Sequence, residues 1–389
     1  EWAAAQYADE EAVLHLSRAL ELTPEADLVE RYSLLLAREK VYDLQGDREV
    51  QQEDLVALEE VVTALADPRK RVQVTLRRSQ YVWAKGDYSQ AAALAEAAID
   101  LLETDPDPEL EAMARRRLAL ALLRLGRLEA AVRQLEESLD LARQVGSRWL
   151  EAEVLRHLGN EHAGAGRLPE ARNCFEASRS IFREVGDRVD EMRILFSLSM
   201  LGHTAFEYAQ ALEDGRASLR LSRELGWRLM EANIQNSIVV VLEACGDYEA
   251  ARDGYEGCLA IAREIGDRAM EAMVLINLAS ADLGTGQYER ALQYADQGLA
   301  LTREVGQRYV EAYAQSFRAY AHYGLGQYAE AIDAYQNALD LLSDMGLTNE
   351  AMAVKSGPAL VCLALGDLAG ALAYVEEILN HLETSGLEG

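Results

Sequence analysis

Residues 245–272 read CGDYEAARDGYEGCLAIAREIGDRAMEA and contain two Gly-Asp pairs, which begin at Gly246 and Gly266. Tyr248 follows the first pair and Arg268 follows the second, so the two turns are similar without being identical. A glycine after a run of helix-forming residues is typical of a helix C-terminus, and an Asp directly after it suits the N-cap of the next helix. The stretch therefore predicts one helix between two tight turns.

Both turns recur along the whole chain with a period of 40 residues. The register of the first turn is broken once, where Phe206 replaces the glycine. From Gly86 onward an alanine follows each first turn at a distance of five residues, and we expect two helices to cross closely there. Three registers with one period indicate a repeat protein. The first-turn glycines are Gly46, Gly86, Gly126, Gly166, Gly246, Gly286, Gly326 and Gly366, and the second-turn glycines are Gly146, Gly186, Gly226, Gly266, Gly306, Gly346 and Gly386.

Each unit of 40 residues holds two helical segments. In the segment that begins at Arg268, the apolar residues Met270, Val274 and Leu278 fall on one face of a helix. No segment shows the alternation that is typical of a β-strand. A recurring Arg with Glu three positions later, as in Arg148 and Glu151, is interpreted as a solvated structural face. These patterns predict an all-α fold of about nine helix pairs that follow a single N-terminal helix.

The composition argues against several classes of partner. The 389 residues carry a formal net charge of -28, which repels nucleic acid phosphates and anionic membranes, so we expect neither as a direct partner. The longest apolar run, Ala359–Leu365, is far shorter than the roughly 18 residues that a membrane span needs. The four cysteines lie far apart, which fits a reducing compartment, and we expect a cytoplasmic protein.

The residue patterns inside the helices resemble those of tetratricopeptide repeats. LRHLGNEH, residues 155–162, has a large residue, Leu-Gly and an aromatic residue at the spacing of the first helix of that repeat. Ala171 and Phe175 then have the spacing of its second helix, as do Ala251 and Tyr255. The resemblance covers essentially the whole chain. It implies a right-handed α-solenoid of helix-turn-helix repeats, each lengthened from the usual ~34 residues to 40.

The same resemblance predicts how the chain is divided. Residues 1–30 are similar to the second helix of a truncated repeat, and the absence of a first helix before it leads us to expect a longer parent protein. Residues 31–389 are expected to form nine repeats. The last of these is predicted to be irregular around Pro358, because a proline inside a helix removes a hydrogen bond and clashes with the preceding turn.

The joining segment LxLxREVGDRxxEA resembles the sensor region of bacterial STAND-class regulatory ATPases, the MalT-like activators among them. This resemblance implies a sensor domain of a larger signal-transduction and transcription regulator. Such a domain binds a peptide, a protein or a small-molecule inducer on a concave surface, and an upstream ATPase module then switches. The motif also resembles the repeats of Rap-type regulators and LGN-like scaffolds. A stand-alone scaffold that binds a peptide or helix of a partner protein is therefore the alternative.

The sequence contains no catalytic or metal-binding signature. P-loop and H-E-x-x-H motifs are absent, and the glycine-rich triplets at 164–166 and 284–286 follow helices, whereas a dinucleotide-binding loop follows a strand. His157 and His162 are five residues apart, a poor spacing for two metal ligands on a helix. We therefore predict that the chain is not an enzyme and binds neither a metal nor a cofactor.

The remaining route to function is the inner wall that stacked repeats create. In tetratricopeptide arrays first helices supply most of this wall, and here it corresponds to positions 13, 10, 6 and 3 residues before each first-turn glycine. We call these positions, with their immediate neighbours, the first-helix face. Arginine and asparagine suit carboxylate, phosphate or peptide groups, and aromatic rings suit apolar side chains or sugars. The predicted binding residues are Arg116, Arg156, Asn160, Arg193, Phe196, Asn233, Asn236, Ile276, Asn277, Tyr313, Phe317 and Tyr320.

Overall fold

A computed structural model describes the backbone of residues 2–385 and the side chains of residues 11–383. This part of the chain is helical apart from short turns. The first ten helices are α1 Trp2–Leu22, α2 Leu28–Gln45, α3 Arg48–Leu65, α4 Pro68–Ala84, α5 Tyr88–Leu102, α6 Pro108–Arg124, α7 Leu128–Val145, α8 Arg148–Gly164, α9 Leu168–Val185 and α10 Arg188–Thr204. The others are α11 Tyr208–Glu224, α12 Arg228–Ala244, α13 Tyr248–Ile265, α14 Arg268–Gly284, α15 Tyr288–Val305, α16 Arg308–Gly324, α17 Tyr328–Asp344, α18 Thr348–Val354, α19 Ser356–Leu365 and α20 Leu368–Ser385.

The helices alternate along the chain between two kinds. First helices end at the first turn and are the even-numbered helices from α2 to α16, with α18 and α19 together in the last repeat. Second helices end at the second turn, and α1 precedes the first of the described helix pairs. Within the described residues, helices pack against their neighbours in sequence and no strand is present. The predicted all-α solenoid is confirmed.

The turns have the backbone geometry that the sequence predicts. Gly246 and Gly266 have φ angles of 80° and 71°, in the left-handed region that favours glycine. The side chain of Asp247 accepts a hydrogen bond from the backbone N–H of Ala250, and that of Asp267 accepts one from Met270 at 2.9 Å. Each Asp therefore caps the helix that follows it, as expected.

The alanines of the repeat mark close helix crossings, again as predicted. Ala171, Ala211 and Ala251 have no exposed surface. A Cβ atom placed on Gly202 at the end of α10 would lie 3.1 Å from the Cβ of Ala211 in α11. Space for a larger side chain is therefore lacking at this crossing.

The recurring Arg and Glu residues form a structural network at the second turns. Glu151 lies between two arginines, with Arg143 Nε at 3.0 Å and Arg148 Nη1 at 2.6 Å from its carboxylate oxygens. Arg148 also contacts Glu184 in α9 at 2.6 Å. Glu231 and Glu271 have the same pair of arginine partners in their repeats. The motif is structural, as interpreted, but only its arginines are exposed to solvent, because Glu231 and Glu271 are buried.

The chain forms two compact units, Glu1–Leu201 and Gly202–Gly389, and the boundary falls inside α10. The main core of the first unit contains buried side chains from Leu20 to Leu201. The second unit has a core from Ala232 to Leu301 and a smaller one around Tyr335. None of the described helices is long and apolar enough to cross a membrane.

The first helix of the last repeat is interrupted at Lys355, between α18 and α19. Pro358 is the third residue of α19, within the first helical turn, where a proline does not remove an intrahelical hydrogen bond. Gly357 precedes it because a Cβ at this position would lie 2.2 Å from the ring of Tyr335.

Candidate functional site

In the first unit, the first-helix face carries a row of charged side chains. The row begins with an arginine that is paired with two carboxylates. Arg77 of α4 contacts Glu39 at 2.6 Å and Asp43 at 2.9 Å, both in α2. Gln51 Nε2 donates a further hydrogen bond to Glu39 at 2.7 Å. Arg77 is therefore neutralised by the preceding first helix.

Glu153 of α8 is the acceptor at the centre of this row. Arg156 donates to both of its carboxylate oxygens, at 2.9 and 3.1 Å, and Arg116 of α6 donates from 3.2 Å. Burial by itself raises the pKa of Glu153, but His157, Arg156 and Arg116 outweigh burial and hold that pKa well below its usual range. Glu153 is thus a permanent anion, and Arg116 and Arg156 share it.

His157 is a neutral imidazole within the same cluster. Burial lowers its pKa to about 4, and the positive charges of Arg156 and Arg116 act in the same direction. Its Nε2 lies 3.1 Å from a guanidinium nitrogen of Arg156 and accepts a hydrogen bond from it. His157 therefore adds no positive charge to this face at neutral pH.

Arg116 and Arg117 lie side by side in α6 with different surroundings. Besides its contact with Glu153, Arg116 stacks over the ring of Trp149 at 5.8 Å, and its Nε is buried without an acceptor. Arg117 is half-buried and makes neither a hydrogen bond nor an ion pair with any side chain that the structure describes. Burial, together with Arg116 and Arg77, lowers the pKa of Arg117 to about 9.

The other predicted residues of the first unit are less enclosed. Arg193 is exposed and contacts Asp190 at 2.8 Å. Asn160 is exposed and Phe196 is half-buried. The structure thus brings Arg116 and Arg156 together around Glu153, and places Asn160, Arg193 and Phe196 farther along the same face.

In the second unit, two asparagines join successive first helices. Asn277 Nδ2 of α14 donates a hydrogen bond to Asn236 Oδ1 of α12 at 3.1 Å. Both side chains are half-buried, and in the described part of the chain Asn236 Nδ2 and Asn277 Oδ1 have no protein partner. Asn233 instead donates to the carbonyl of Leu229 in its own helix at 3.1 Å. The pair therefore leaves one donor group and one acceptor group available.

Aromatic side chains follow on α16. The Tyr313 ring lies 5.0 Å from that of Tyr309 and 6.4 Å from that of Phe317, and the two tyrosine hydroxyls are hydrogen-bonded at 3.1 Å. Tyr320 is 37% exposed and packs beside Tyr323. Ile276 is only 3% exposed and packs in the core beneath Tyr313 and Phe317. A ligand would therefore meet these rings and not Ile276.

Some residues of this face were not among the predicted ones. Glu153 lies on the same register, but a carboxylate gives no signal of its own in a chain with 66 acidic residues. Trp149 and Tyr309 lie one helical turn away from the predicted positions, and both are more than 40% exposed. Over the described residues, no group of three His, Cys, Asp or Glu side chains converges as metal ligands would.

Comparisons with known proteins agree with this architecture. One tetratricopeptide repeat family model matches residues 230–304, and a second matches residues 76–151 and 276–345. No curated protein matches the sequence.

Among solved structures, the apo form of RapI has a TM-score of 0.75 at 15% identity and covers 92% of this chain and 98% of its own. A Rap protein complexed with competence and sporulation factor has a TM-score of 0.62 at 14% identity, with 93% and 99% covered. A STAND protein with a tetratricopeptide repeat sensor from Pyrococcus horikoshii has a TM-score of 0.60 at 14% identity and covers 94% of this chain and 55% of its own. At these identities the likeness concerns the fold.

Proposed function

Because this chain is a tetratricopeptide repeat protein, we propose that it is a non-enzymatic sensor domain that binds an extended peptide segment on its first-helix face. In the full-length protein it serves as the sensor of a STAND-type bacterial regulator. Binding of the partner is passed to an ATPase module elsewhere in that protein.

The observation that carries this proposal is the amide pair of Asn236 and Asn277. Their mutual hydrogen bond fixes both amides and leaves the Asn236 NH2 and the Asn277 carbonyl oxygen without protein partners among the described residues. An extended peptide unit offers one C=O acceptor and one N–H donor, so the asparagine pair is complementary to a peptide backbone. Recognition of this kind does not depend on the sequence of the peptide.

The neighbouring aromatic side chains add a surface for an apolar side chain of the same peptide. Tyr309 is 46% exposed and Tyr320 is 37% exposed, so both rings can be reached by a ligand. Burial and the hydroxyl of Tyr309 raise the pKa of Tyr313 to about 12, so the Tyr313 hydroxyl is uncharged at neutral pH. Aromatic rings with few rotatable bonds bind apolar groups with little loss of conformational entropy.

Two structural neighbours support this proposal. One is a Rap protein complexed with competence and sporulation factor, and the other is a STAND protein that contains a tetratricopeptide repeat sensor. The present chain spans 55% of the second protein, as a sensor region within a longer regulator would.

The test is selection of ligands from a display library of random linear peptides, followed by fluorescence anisotropy with the enriched peptides. We expect Asn236→Ala combined with Asn277→Ala to weaken binding by roughly tenfold to a hundredfold, because two buried hydrogen bonds to the backbone are lost. Asn337→Ala removes the same amide from the exposed side of α17 and should leave affinity unchanged. Equal affinity of the double variant and the parent would refute the proposal, provided circular dichroism shows equal helix content.

The alternative is a stand-alone scaffold that binds a peptide or helix of a partner protein, and the Rap protein complexed with competence and sporulation factor shares the fold. The encoded sequence before Glu1 separates the two possibilities. A P-loop ATPase module there supports the STAND-type regulator, and an open reading frame without one supports the scaffold.

A further inference from the structure

We propose that Arg117, in the row of arginines formed by Arg77, Arg116 and Arg156 on α4, α6 and α8, is a binding site for an oxyanionic group, either a carboxylate or a phosphate. The site lies in the first unit and does not depend on the asparagine pair of the second unit. This proposal rests on the proposed sensor function and extends it, because it specifies that the ligand carries a negatively charged group.

The proposal begins with the pairing of the arginines. Arg77 contacts both Glu39 and Asp43, and Arg156 is bidentate to Glu153. Arg193 contacts Asp190. Arg116 shares Glu153, but its Nε is buried and has no acceptor.

Arg117 differs from all of these. It has no carboxylate within ion-pair distance among the residues that the structure describes. Because buried charges in proteins are normally paired, an unpaired one requires an explanation.

The repeat register explains why Arg117 lacks a partner. Arg117 corresponds to Arg77 one repeat earlier, and the partners of Arg77 are Glu39 and Asp43. Forty residues on, these two positions are occupied by Ser79 and Trp83. Ser79 donates its hydroxyl to the carbonyl of Ala91, and the indole Nε1 of Trp83 is buried without an acceptor. From one repeat to the next, the two carboxylates are therefore replaced by uncharged side chains, whereas the arginine is present in both repeats.

The local field favours an anion despite the net charge of the chain. Arg116 and Arg77 act on Arg117 more strongly than Asp43 and Glu153 do, and together with burial they lower its pKa. At the position of Arg117 the surrounding charges are therefore positive on balance. An oxyanion placed there would neutralise Arg117 and gain from both neighbouring guanidinium groups, and a planar arginine fork matches the geometry of carboxylate and phosphate oxygens.

The guanidinium of Arg117 is also accessible. Arg117 is only half-buried and none of its nitrogens is completely enclosed, whereas Arg116 Nε and Trp83 Nε1 are. Arg117 can therefore be reached by a ligand, whereas Arg116 Nε and Trp83 Nε1 are enclosed. A half-buried guanidinium without an acceptor is the arrangement expected of a preorganised oxyanion site.

The experiment measures the unfolding temperature of the protein with added sodium phosphate or sodium succinate, against sodium chloride of equal ionic strength. We expect at least one of the two anions to raise the midpoint, because a ligand that binds only the folded state stabilises it. The rise should disappear in Arg117→Gln and persist in Arg133→Gln, which removes the same charge from an exposed position on α7. By isothermal titration, Arg117→Gln should weaken the binding of that anion by roughly tenfold or more.

A second measurement separates an anion site from a structural role. Without added anion, Arg117→Gln should unfold at a higher temperature than the parent protein, because it removes an unpaired charge from a partly buried position. Arg117→Lys keeps the charge but loses the fork and should retain only part of the anion response. A lower midpoint for Arg117→Gln, or a response equal to that of the parent, would overturn the proposal, as would the absence of any response in the parent.

The two anions identify the source of the oxyanion. A response to phosphate alone indicates a phosphorylated ligand, a response to succinate alone indicates a carboxylate, and a response to both indicates a site that recognises charge; each of these supports the proposal. Asn236→Ala combined with Asn277→Ala should leave the response intact. Failure of the peptide proposal and failure of the anion proposal are therefore distinguishable.

Discussion

At the first turn the backbone adopts a left-handed conformation, which favours glycine. The first-turn glycines have φ angles between 72° and 85° in the described repeats, a region in which a Cβ atom causes steric strain. Phe206 occupies the same position with φ 58° and keeps the same turn, since its N–H donates to His203 and that of Glu207 donates to Gly202. The sequence raises the question of an altered turn at this point, and the structure shows that the turn is retained with strain.

Replacement of Phe206 by glycine should therefore stabilise the protein. Phe206 is 78% exposed, so little apolar burial is lost, and relief of the left-handed conformation is worth about 1 kcal/mol. Urea unfolding followed by circular dichroism measures the difference. Phe206→Ala keeps a Cβ atom and serves as the control, with little expected gain. Equal stability of the glycine variant and the parent would show that the turn is not strained.

Neighbouring helices are positioned by a tyrosine at the start of the second helices α13 and α15. A Cβ atom placed on Gly284 would lie only 2.5 Å from the ring of Tyr248. A Cβ atom placed on Gly324 would lie 2.4 Å from the ring of Tyr288. The tyrosine of the first turn thus packs against the last turn of the next first helix. This contact accounts for the different residues after the two Gly-Asp pairs, because the arginine after the second turn forms ion pairs instead.

Gly324→Ala should destabilise the protein although alanine is the better helix former. The new Cβ meets the Tyr288 ring and forces it to move, at an expected loss of about 1–3 kcal/mol. Gly164 has the same repeat position in α8, and no atom lies within 4 Å of the point that a Cβ would occupy there. Gly164→Ala should therefore be neutral or stabilising by up to about 1 kcal/mol. Chemical denaturation of the two variants provides the comparison. A stabilised Gly324→Ala would mean that the ring does not hold the helix.

At the scale of the whole molecule, the packing is local along the chain. In the described residues, helices contact mainly the helices next to them in sequence, and several first helices also touch the next first helix, as α4 does α6 and α14 does α16. Every repeat has the same length, so one repeat presents nearly the same interfaces as the next. Stability is then expected to be a sum of repeat and interface terms.

Deletion of one complete repeat should leave a folded protein. Removal of residues 268–307 joins Asp267 to Arg308, so a first helix still follows a second helix. We expect a soluble protein of proportionately lower ellipticity, whose free energy of unfolding falls by roughly 2–6 kcal/mol. Removal of residues 268–287 deletes α14 alone and places two second helices in succession, which should abolish cooperative unfolding. Cooperative unfolding of both variants, measured by circular dichroism, would contradict a repeat built from helix pairs.

The sequence alone determined the architecture. The glycine, alanine and Gly-Asp registers predict where most helices begin and end, because backbone handedness and helix capping act over a few residues. The sequence also identified the first-helix face, since spacing along a helix fixes direction. It did not distinguish Ile276, which lies in the core, from Tyr313 above it, because the difference is set by how α14, α15 and α16 pack. Only the tertiary structure decided which charges are paired. Arg77 and Arg117 are alike in sequence, and only their neighbours one repeat away make the first a structural ion pair and leave the second without a partner among the described residues.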